Sequence, residues 1–519
     1  MPRRKPEPLR STSAPAIDYA VAAVGLVVLG LSIWISVARN LDFPWTSIRL
    51  APAFALANHI PLYSMPDKPP WVMVGYGPLY PVAYLPSVLA RHPTAAVATA
   101  TLLAHFYVLA PVGLLCSLFG KWNARGSAER SVHWTLAFIL FALVTHLAPS
   151  LTYVTTGVHA DAPAFGLFLL ACYAVLRSER AAGNAQTRWL IAAGIAAGLS
   201  ATCKINLAAA AIALLLWVLR FSGAKRSAIF LLAAVLAAVA VYGWAVLRDG
   251  YAAVALNLAE PGAMPWFKFN EMELSSMNGT SHEFAEKVRA FLTFGRDYLK
   301  TYGAVALAIV LITAIVSRKE SGKANGGARI VWLFLFIAGL LLPVSIASIA
   351  KYGGDVNSRA LVSLPLALAA IFALGVAQHT SRVAAGVSYA AVAGAILAVA
   401  LPLKDGFGKV WPKDPPVLVE AYSVISSDPT RWYFPYDPLA HFLVEGKFRP
   451  NIDVVYSYAT SGYPVNEEAF RSAMPENLRY LAIPPSVAGW GATEIQRLLP
   501  DYIRPAPELN FPKHRVYGK

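Results

Sequence analysis

NLDFPWTSIRLAPAFALANHIPLYSMPDKPPWVMVGYGPLYPVAYLP, residues 40–86, follows the first long apolar segment of the chain. It opens with a carboxylate, Asp42, within a few residues of where a membrane helix should end. Aromatics, prolines and an acid–base pair (Asp67, Lys68) come next, and then an apolar dip at Tyr76–Pro86. A connector between two spans is ordinarily short. This one is long and amphipathic and starts with an acid at the membrane face, so it is expected to form the upper wall of a cavity. Helical spacing at Trp45–Asn58 and the dip at 77–90 predict helices in or near the membrane interface. Trp45, Trp71, Tyr76 and Tyr80 would suit the headgroup layer.

The composition around this stretch is that of a polytopic membrane protein. Of 519 residues, 57% are hydrophobic and only 14% charged, with a mean hydropathy of +0.51. Apolar runs of spanning length recur from residue 17 to residue 402. The net charge of +15 would suit nucleic acid, but the basic residues gather in short loops between apolar runs. That is the mark of cytoplasmic loops, and no nucleic-acid partner is expected. Cys116, Cys172 and Cys203 all lie in apolar segments and read as small buried residues. The N-terminal Arg3, Arg4, Lys5 and Arg10 precede a long apolar run without a cleavage pattern, which reads as a retained first span with a cytoplasmic N-terminus.

The fold class expected is an all-α polytopic membrane protein of about eleven transmembrane helices, with amphipathic helices in the first outer loop and a small C-terminal α/β extracytoplasmic domain. The spans fall near 17–38, 95–119, 132–148 and 161–177, then two short ones within 189–219 that meet near Lys204, then 227–247, 301–317, 330–350, 360–377 and 383–402. A single span over 189–219 would overrun a hydrocarbon core of roughly 30 Å at about 1.5 Å per residue. Residues 1–402 thus form the transmembrane domain, with outer loops at 39–94 and 248–300. Residues 403–519 form the soluble domain, with strands expected at RWYFPY, DVVYSY and LRYLAI and short helices at PLAHFLVEG, NEEAFRSAM and ATEIQRLL. No internal repeat is evident, unlike many transporters.

With this topology the unusual polar residues fall on one side. Asp42 follows the first span, and His159 and Asp161 open the fourth. Lys204 and Asn206 sit at the bend of the short pair. Lys351, Asp355, Asn357 and Arg359 lie between the ninth and tenth spans. Ionisable groups at membrane depth are costly and point to function. Each also has a plain structural role open to it: Asp42 and Asp161 as helix caps, Lys204 as a snorkelling side chain, the 351–359 stretch as a polar turn. Two carboxylates can deprotonate a hydroxyl or hold a metal ion. Lys and Arg can bind a lipid phosphate as it leaves. Aspartates, cations and a lipid groove together fit glycosyl transfer from a lipid-phosphate sugar. A transporter or flippase for a lipid-linked or small anionic substrate is the alternative.

Four segments carry a resemblance: Asp42 after the first span, the Y-x-P-L-Y-P segment (Tyr76, Pro78, Leu79, Tyr80, Pro81), the H-x-D-x-P opening (His159, Asp161, Pro163), and K-x-G-x-D-x-N (Lys351, Gly353, Asp355, Asn357). With them the chain resembles the GT-C superfamily of integral-membrane glycosyltransferases, in particular the protein O-mannosyltransferase and aminoarabinose transferase branch and dolichyl-mannosyltransferase-like proteins. The resemblance implies a polyprenyl-phosphate-linked monosaccharide as donor, transferred with inversion on the extracytoplasmic face of the inner (plasma) membrane to a hydroxyl on a glycan, lipid or protein. It implies Asp42 as catalytic base, so that Asp42→Asn should abolish transfer, and Asp161 with His159 as the pair that orients the acceptor or a divalent cation. Lys351, Arg359 and Lys204 would meet the leaving phosphate, with Lys68 a further candidate, and Tyr76 and Tyr80 would wall the cavity. The lone acid at Asp42, followed by Phe43, argues against a two-acid metal site in that loop.

Overall fold

The computed structural model describes residues 14–123, 127–269, 277–319, 326–378, 382–410, 414–487, 492–502, 504–506, 509 and 511–519. The basic N-terminus and residues 320–325 of the Gly-rich loop lie outside the described residues.

Apolar composition drives the first four-fifths of the chain into long helices. They begin with α1 (Ala14–Asp42), followed by the shorter α2 (Trp45–Ala57) and α3 (Tyr80–Ala83). Next come α4 (Pro93–Asn123), α5 (Ser127–Leu147), α6 (Pro149–Thr156), α7 (Asp161–Arg180), α8 (Gly183–Cys203), α9 (Ala208–Ser222), α10 (Ala224–Asp249) and α11 (Tyr251–Ala263). A two-stranded ribbon of β1 (Trp266–Phe269) and β2 (Met277–Ser281) leads to α12 (Phe284–Lys319), α13 (Gly326–Ala350), α14 (Ala360–Gln378) and α15 (Arg382–Val410). Among the described residues nine helices are long and apolar enough to cross a membrane, or ten if the pair α5–α6, bent by 104°, is one broken span. Extended backbone at Ala148 and proline at the first position of α6 make that bend. The protein is a multi-pass membrane protein. Every expected span has a helix. The one that falls short of the nine or ten is α8, whose 21 residues include Gln186, Arg188 and three glycines.

The split within 189–219 lies where the lysine predicts it, though α8 begins earlier and is a full-length helix. Lys204 is extended (φ −148°, ψ 114°), and one turn of 3-10 helix leads on to α9. The first loop is stitched to this break. Gly77 N–H donates to Cys203 O (3.1 Å) and Leu79 N–H to Thr202 O (3.2 Å). A Cβ on Gly77 would come within 1.9 Å of Thr202 O, so only glycine permits this approach.

Two expectations for the first loop are overturned. Helix α2 is packed inside protein rather than laid on lipid: nine of its thirteen residues are buried, and Phe54 packs edge-on against Phe442 of the C-terminal region. Trp71 and Tyr80, each 1% exposed, are core residues rather than headgroup anchors. The C-terminal region folds over this loop and covers it. The stretch 77–90 makes only α3 and a 3-10 turn, Leu85–Leu89, and does not span.

The C-terminal region contains α16 (Val417–Ser427), α17 (Pro438–Glu445), α18 (Ile452–Thr460), α19 (Glu467–Ser472) and α20 (Ala492–Leu498), with β3 (Trp432–Tyr433), β4 (Tyr480–Ile483), β5 (Arg504–Pro505) and β6 (Arg515–Gly518). The strands form one sheet in the order β3-β4-β6-β5, with β3 and β4 parallel. DVVYSY is helix α18, not a strand: Asn451 caps it by accepting from Val454 N–H at 3.1 Å. Ile48, Trp71 and Val74 of the first loop complete the core of this region. Asn451 Nδ2 donates to Trp71 O (2.7 Å), and Tyr458 OH donates to Ser64 O (2.6 Å).

Candidate active site

Asp161, the first residue of α7, is 0% exposed. Its oxygens hold three partners, His159 from the turn just before the helix and two from distant parts of the chain. Lys204 Nζ donates to Oδ1 at 2.5 Å, Asn357 Nδ2 donates to Oδ2 at 2.9 Å, and His159 Nδ1 faces Oδ2 at 2.5 Å. The unwound backbone at Lys204 aims that side chain at α7. Asn357 sits on a 3-10 turn, Val356–Arg359, that Asp355 caps by accepting from Val356 N–H at 2.6 Å. His159 Nε2 meets Tyr76 OH at 3.1 Å. Burial lowers the imidazole pKa and Asp161 opposes the shift. With its proton on Nδ1, the ring donates to Asp161 and accepts from Tyr76. A carboxylate removed from water requires such a set of partners.

Beside this hub lies a cavity of about 300 Å³. Tyr76, His159, Lys204, Lys351, Asp355 and Asn357 line it, as the sequence anticipates, together with Arg49, Tyr153, Glu260 and Asp453, which it did not single out. Arg49 pairs with Asp453 (2.7 Å) and stands over the Tyr76 ring at 4.6 Å. Lys351 directly follows α13; a bridge to Trp266 and the bond from Tyr352 N–H to Pro265 O (2.7 Å) fix its backbone. Burial lowers its ammonium pKa, and Glu260 opposes that. Glu260, 2% exposed, is pushed up to about 7 by burial, against the pull of Lys351 and of the Ser461 hydroxyl.

The cavity does not end there. Gly354 and Asp355 also line an adjoining space of about 370 Å³ walled by Phe267, Phe269, Phe294 and Ile349. Arg359, on its rim, stands over Tyr298 at 5.7 Å. Tyr298 in turn lines a groove of about 1150 Å³ bounded by α12 and α13, with Tyr302, Trp332, Phe336 and Leu342. The groove follows α13 from Gly326 to Leu342, which is most of the depth of a bilayer core of roughly 30 Å.

Four expected site residues lie elsewhere. Asp42 ends α1 pointing at the C-terminal region: it pairs with Lys513 Nζ (2.9 Å) and accepts from Val417 N–H (3.3 Å), with its side chain 48% exposed. It does not line the cavity. The chain breaks between α1 and α2, and Arg49 on α2, not Asp42 at the end of α1, lines the cavity. Lys68 is exposed on a proline-rich turn. Tyr80 is buried behind Tyr76, ring centroids 5.7 Å apart. Arg359 pairs with Asp297 (2.7 Å) in the adjoining space. Asp161 itself has no surface toward the cavity, so it positions Lys204, His159 and Asn357 rather than touching a substrate. With Lys204, His159 and Asn357 on its oxygens it does not fit as a metal ligand, and among the described residues no group of three His, Cys, Asp or Glu is placed to hold a metal ion.

Arg49 and Glu260 did leave a trace in the sequence. Each is a lone charge in an apolar helix, in TSIRLAPAF and YAAVALNLAEPGA. Asp453 and Tyr153 left none, because only the tertiary fold brings them here.

No protein-family model and no curated protein sequence matches the chain. Among solved structures it is similar to ArnT from Cupriavidus metallidurans bound to undecaprenyl phosphate (TM-score 0.46, 11% identity, 97% of this chain and 98% of that one). The apo state of ArnT gives a TM-score of 0.44 at 12% identity, with 98% of each chain covered. Archaeal oligosaccharyltransferase AglB from Archaeoglobus fulgidus, in complex with an inhibitory peptide and a dolichol-phosphate, gives 0.37 at 14% identity, with 92% of this chain and 72% of that one covered. At TM-scores under 0.5 the likeness is one of layout and assigns no residue a role.

Proposed function

We propose that the protein transfers a monosaccharide from a polyprenyl-phosphate donor to an acceptor hydroxyl, with inversion at the anomeric carbon. The observation that carries this is that two unlike spaces lie close together, with the space lined by Arg359 between them. One is a small cavity with three cations (Arg49, Lys204, Lys351) and three tyrosines (Tyr76, Tyr153, Tyr456) on its wall. The other is a large, mainly apolar groove whose Tyr298 lies against Arg359 of the adjoining space. A sugar phosphate on a long hydrocarbon chain has the same two-part chemistry.

In this reading the sugar occupies the small cavity, against Tyr76 and Tyr153. The phosphate lies toward Lys351 and Lys204, and the isoprenoid chain runs past Arg359 into the groove. The acceptor oxygen attacks the anomeric carbon from the face opposite the phosphate. The bond from that carbon to the phosphate oxygen breaks with its electron pair on the phosphate, and the cations offset the charge that develops there. We place the N-terminus in the cytoplasm and the cavity and C-terminal region outside, from the basic residues of the intervening loops.

Purified protein in lipid nanodiscs, given polyprenyl-phosphate sugars labelled in the sugar, should move label from the lipid to a water-soluble or acceptor-bound fraction. Lys351→Met should slow this by about 10- to 100-fold. Label that stays on the lipid with every donor and acceptor extract contradicts the reading.

A further inference from the structure

We propose that Glu260 is the catalytic base that takes the proton of the acceptor hydroxyl; this rests on the glycosyl-transfer reading above. As the acceptor oxygen bonds to the anomeric carbon and the phosphate departs with the electron pair of the broken bond, the hydroxyl proton passes to Glu260 Oε2.

The cavity and its hub hold four acids, and three are committed. Asp161 is shut beneath Lys204, His159 and Asn357. Asp453 is paired with Arg49. Asp355 is exposed and caps the turn that carries Asn357. Glu260 alone combines burial with no ion pair within hydrogen-bond reach among the described residues.

Its position is also prepared. Ser461 Oγ donates to Glu260 Oε1 at 3.0 Å. Oε2 stands 3.2 Å from where a Cβ on Gly75 would lie, so that glycine leaves Oε2 its space. Asn257, one helical turn earlier on α11, accepts from Gly75 N–H (2.7 Å) and donates to Tyr76 O (3.1 Å). The carboxylate and the tyrosine of the cavity wall are thereby fixed to each other. The charged and titratable groups facing Glu260 are Lys351 after α13 and Asp453 and Tyr458 on α18. Burial is the largest influence on its carboxyl, which titrates near neutrality, where a general base works best.

The test is the pH dependence of sugar release from labelled polyprenyl-phosphate sugar by the full-length protein at saturating donor. The wild-type rate should fall about tenfold per pH unit below a midpoint near neutrality and level off above it. Glu260→Gln should lower kcat by about 100-fold or more, leave the donor KM within about threefold, and abolish that midpoint. Glu260→Asp should regain part of the rate and keep a midpoint. Ser461→Ala removes a bond that favours the carboxylate, so it should move the midpoint to higher pH with the protein fully folded. A Glu260→Gln protein that keeps more than a tenth of the wild-type rate with an unchanged profile overturns the assignment and leaves glycosyl transfer standing. So does a Ser461→Ala protein with an unmoved midpoint, should Glu260→Gln fail to fold. A wild-type protein that releases no sugar from any donor overturns both.

Discussion

Asp42 and Asp161 stand at helix ends in the same kind of sequence setting, and the fold treats them in opposite ways. Asp161 is sealed from water and holds a lysine, a histidine and an asparagine drawn from three separate segments. Asp42 is half exposed and holds one lysine of the C-terminal region. A charge kept at a membrane helix end therefore does not by itself mark an active site; what it is paired with, and how dry the pair is, decides. A buried pair that loses one partner leaves the other uncompensated. An exposed pair is worth about 0–1 kcal/mol.

The largest effect should come from Asp161→Ala. It strands the Lys204 ammonium and releases His159 and Asn357, at a cost of about 3–5 kcal/mol in stability and with loss of transfer. Thermal unfolding in detergent alongside a transfer assay checks both. If the variant unfolds like wild type and still transfers sugar, the hub is not what organises the cavity.

Next is Lys351→Met, whose effect on rate is given above. It should also shift pH dependence. The ammonium lowers the Glu260 pKa, so its removal raises that pKa further, and the midpoint of the rate profile moves to higher pH. A midpoint that moves down or stays in place separates the two residues.

His514→Phe tests the C-terminal region apart from the cavity. Its imidazole lies between Glu420 (2.6 Å) and Asp437 (3.5 Å), all buried. Burial opposes its charge, but Asp437 and Glu420 outweigh that and raise its pKa. A raised histidine pKa gives stability that is full below about pH 6.5 and fades as pH rises through the higher folded value. Asp437, raised by burial, works in the same direction; His441, lowered by burial, works in the other as pH falls. The wild type should lose thermal stability on passing above neutral pH, and the variant should lose that dependence. A stability curve unchanged by the substitution contradicts the pairing.

Asp42→Asn should do least: transfer within about twofold of wild type and stability within about 1 kcal/mol. The sequence alone suggests the reverse, loss of activity, so this variant separates the two views cleanly.

The helical frame was legible because twenty-residue apolar runs have few other uses. The break at Lys204 was legible for the same reason, since a charge in such a run needs a turn or a partner. The convergence of His159, Asp161, Lys204 and Asn357 followed from topology: alternate helix ends share a face. What escaped notice depended on pairing across hundreds of residues. Arg49 reads as a surface residue of an amphipathic helix until Asp453 and the C-terminal core cover it. Glu260 is a lone charge in an apolar helix of the second outer loop, and its place beside the cavity shows only once Ser461 and Gly75 enclose it. DVVYSY alternates like a strand, and only the asparagine cap before it favours a helix. For Asp42, the end of a span fixes depth in the membrane but not the direction in which the side chain leaves the helix.

The most direct measurement of the central claim follows both halves of a doubly labelled polyprenyl-phosphate sugar, one label in the sugar and one in the lipid, after incubation with the protein in sealed vesicles. Glycosyl transfer predicts that the sugar label leaves while the lipid label remains in the membrane as free polyprenyl phosphate. If both labels stay on one molecule that merely changes leaflet, the protein is a transporter and the account is wrong.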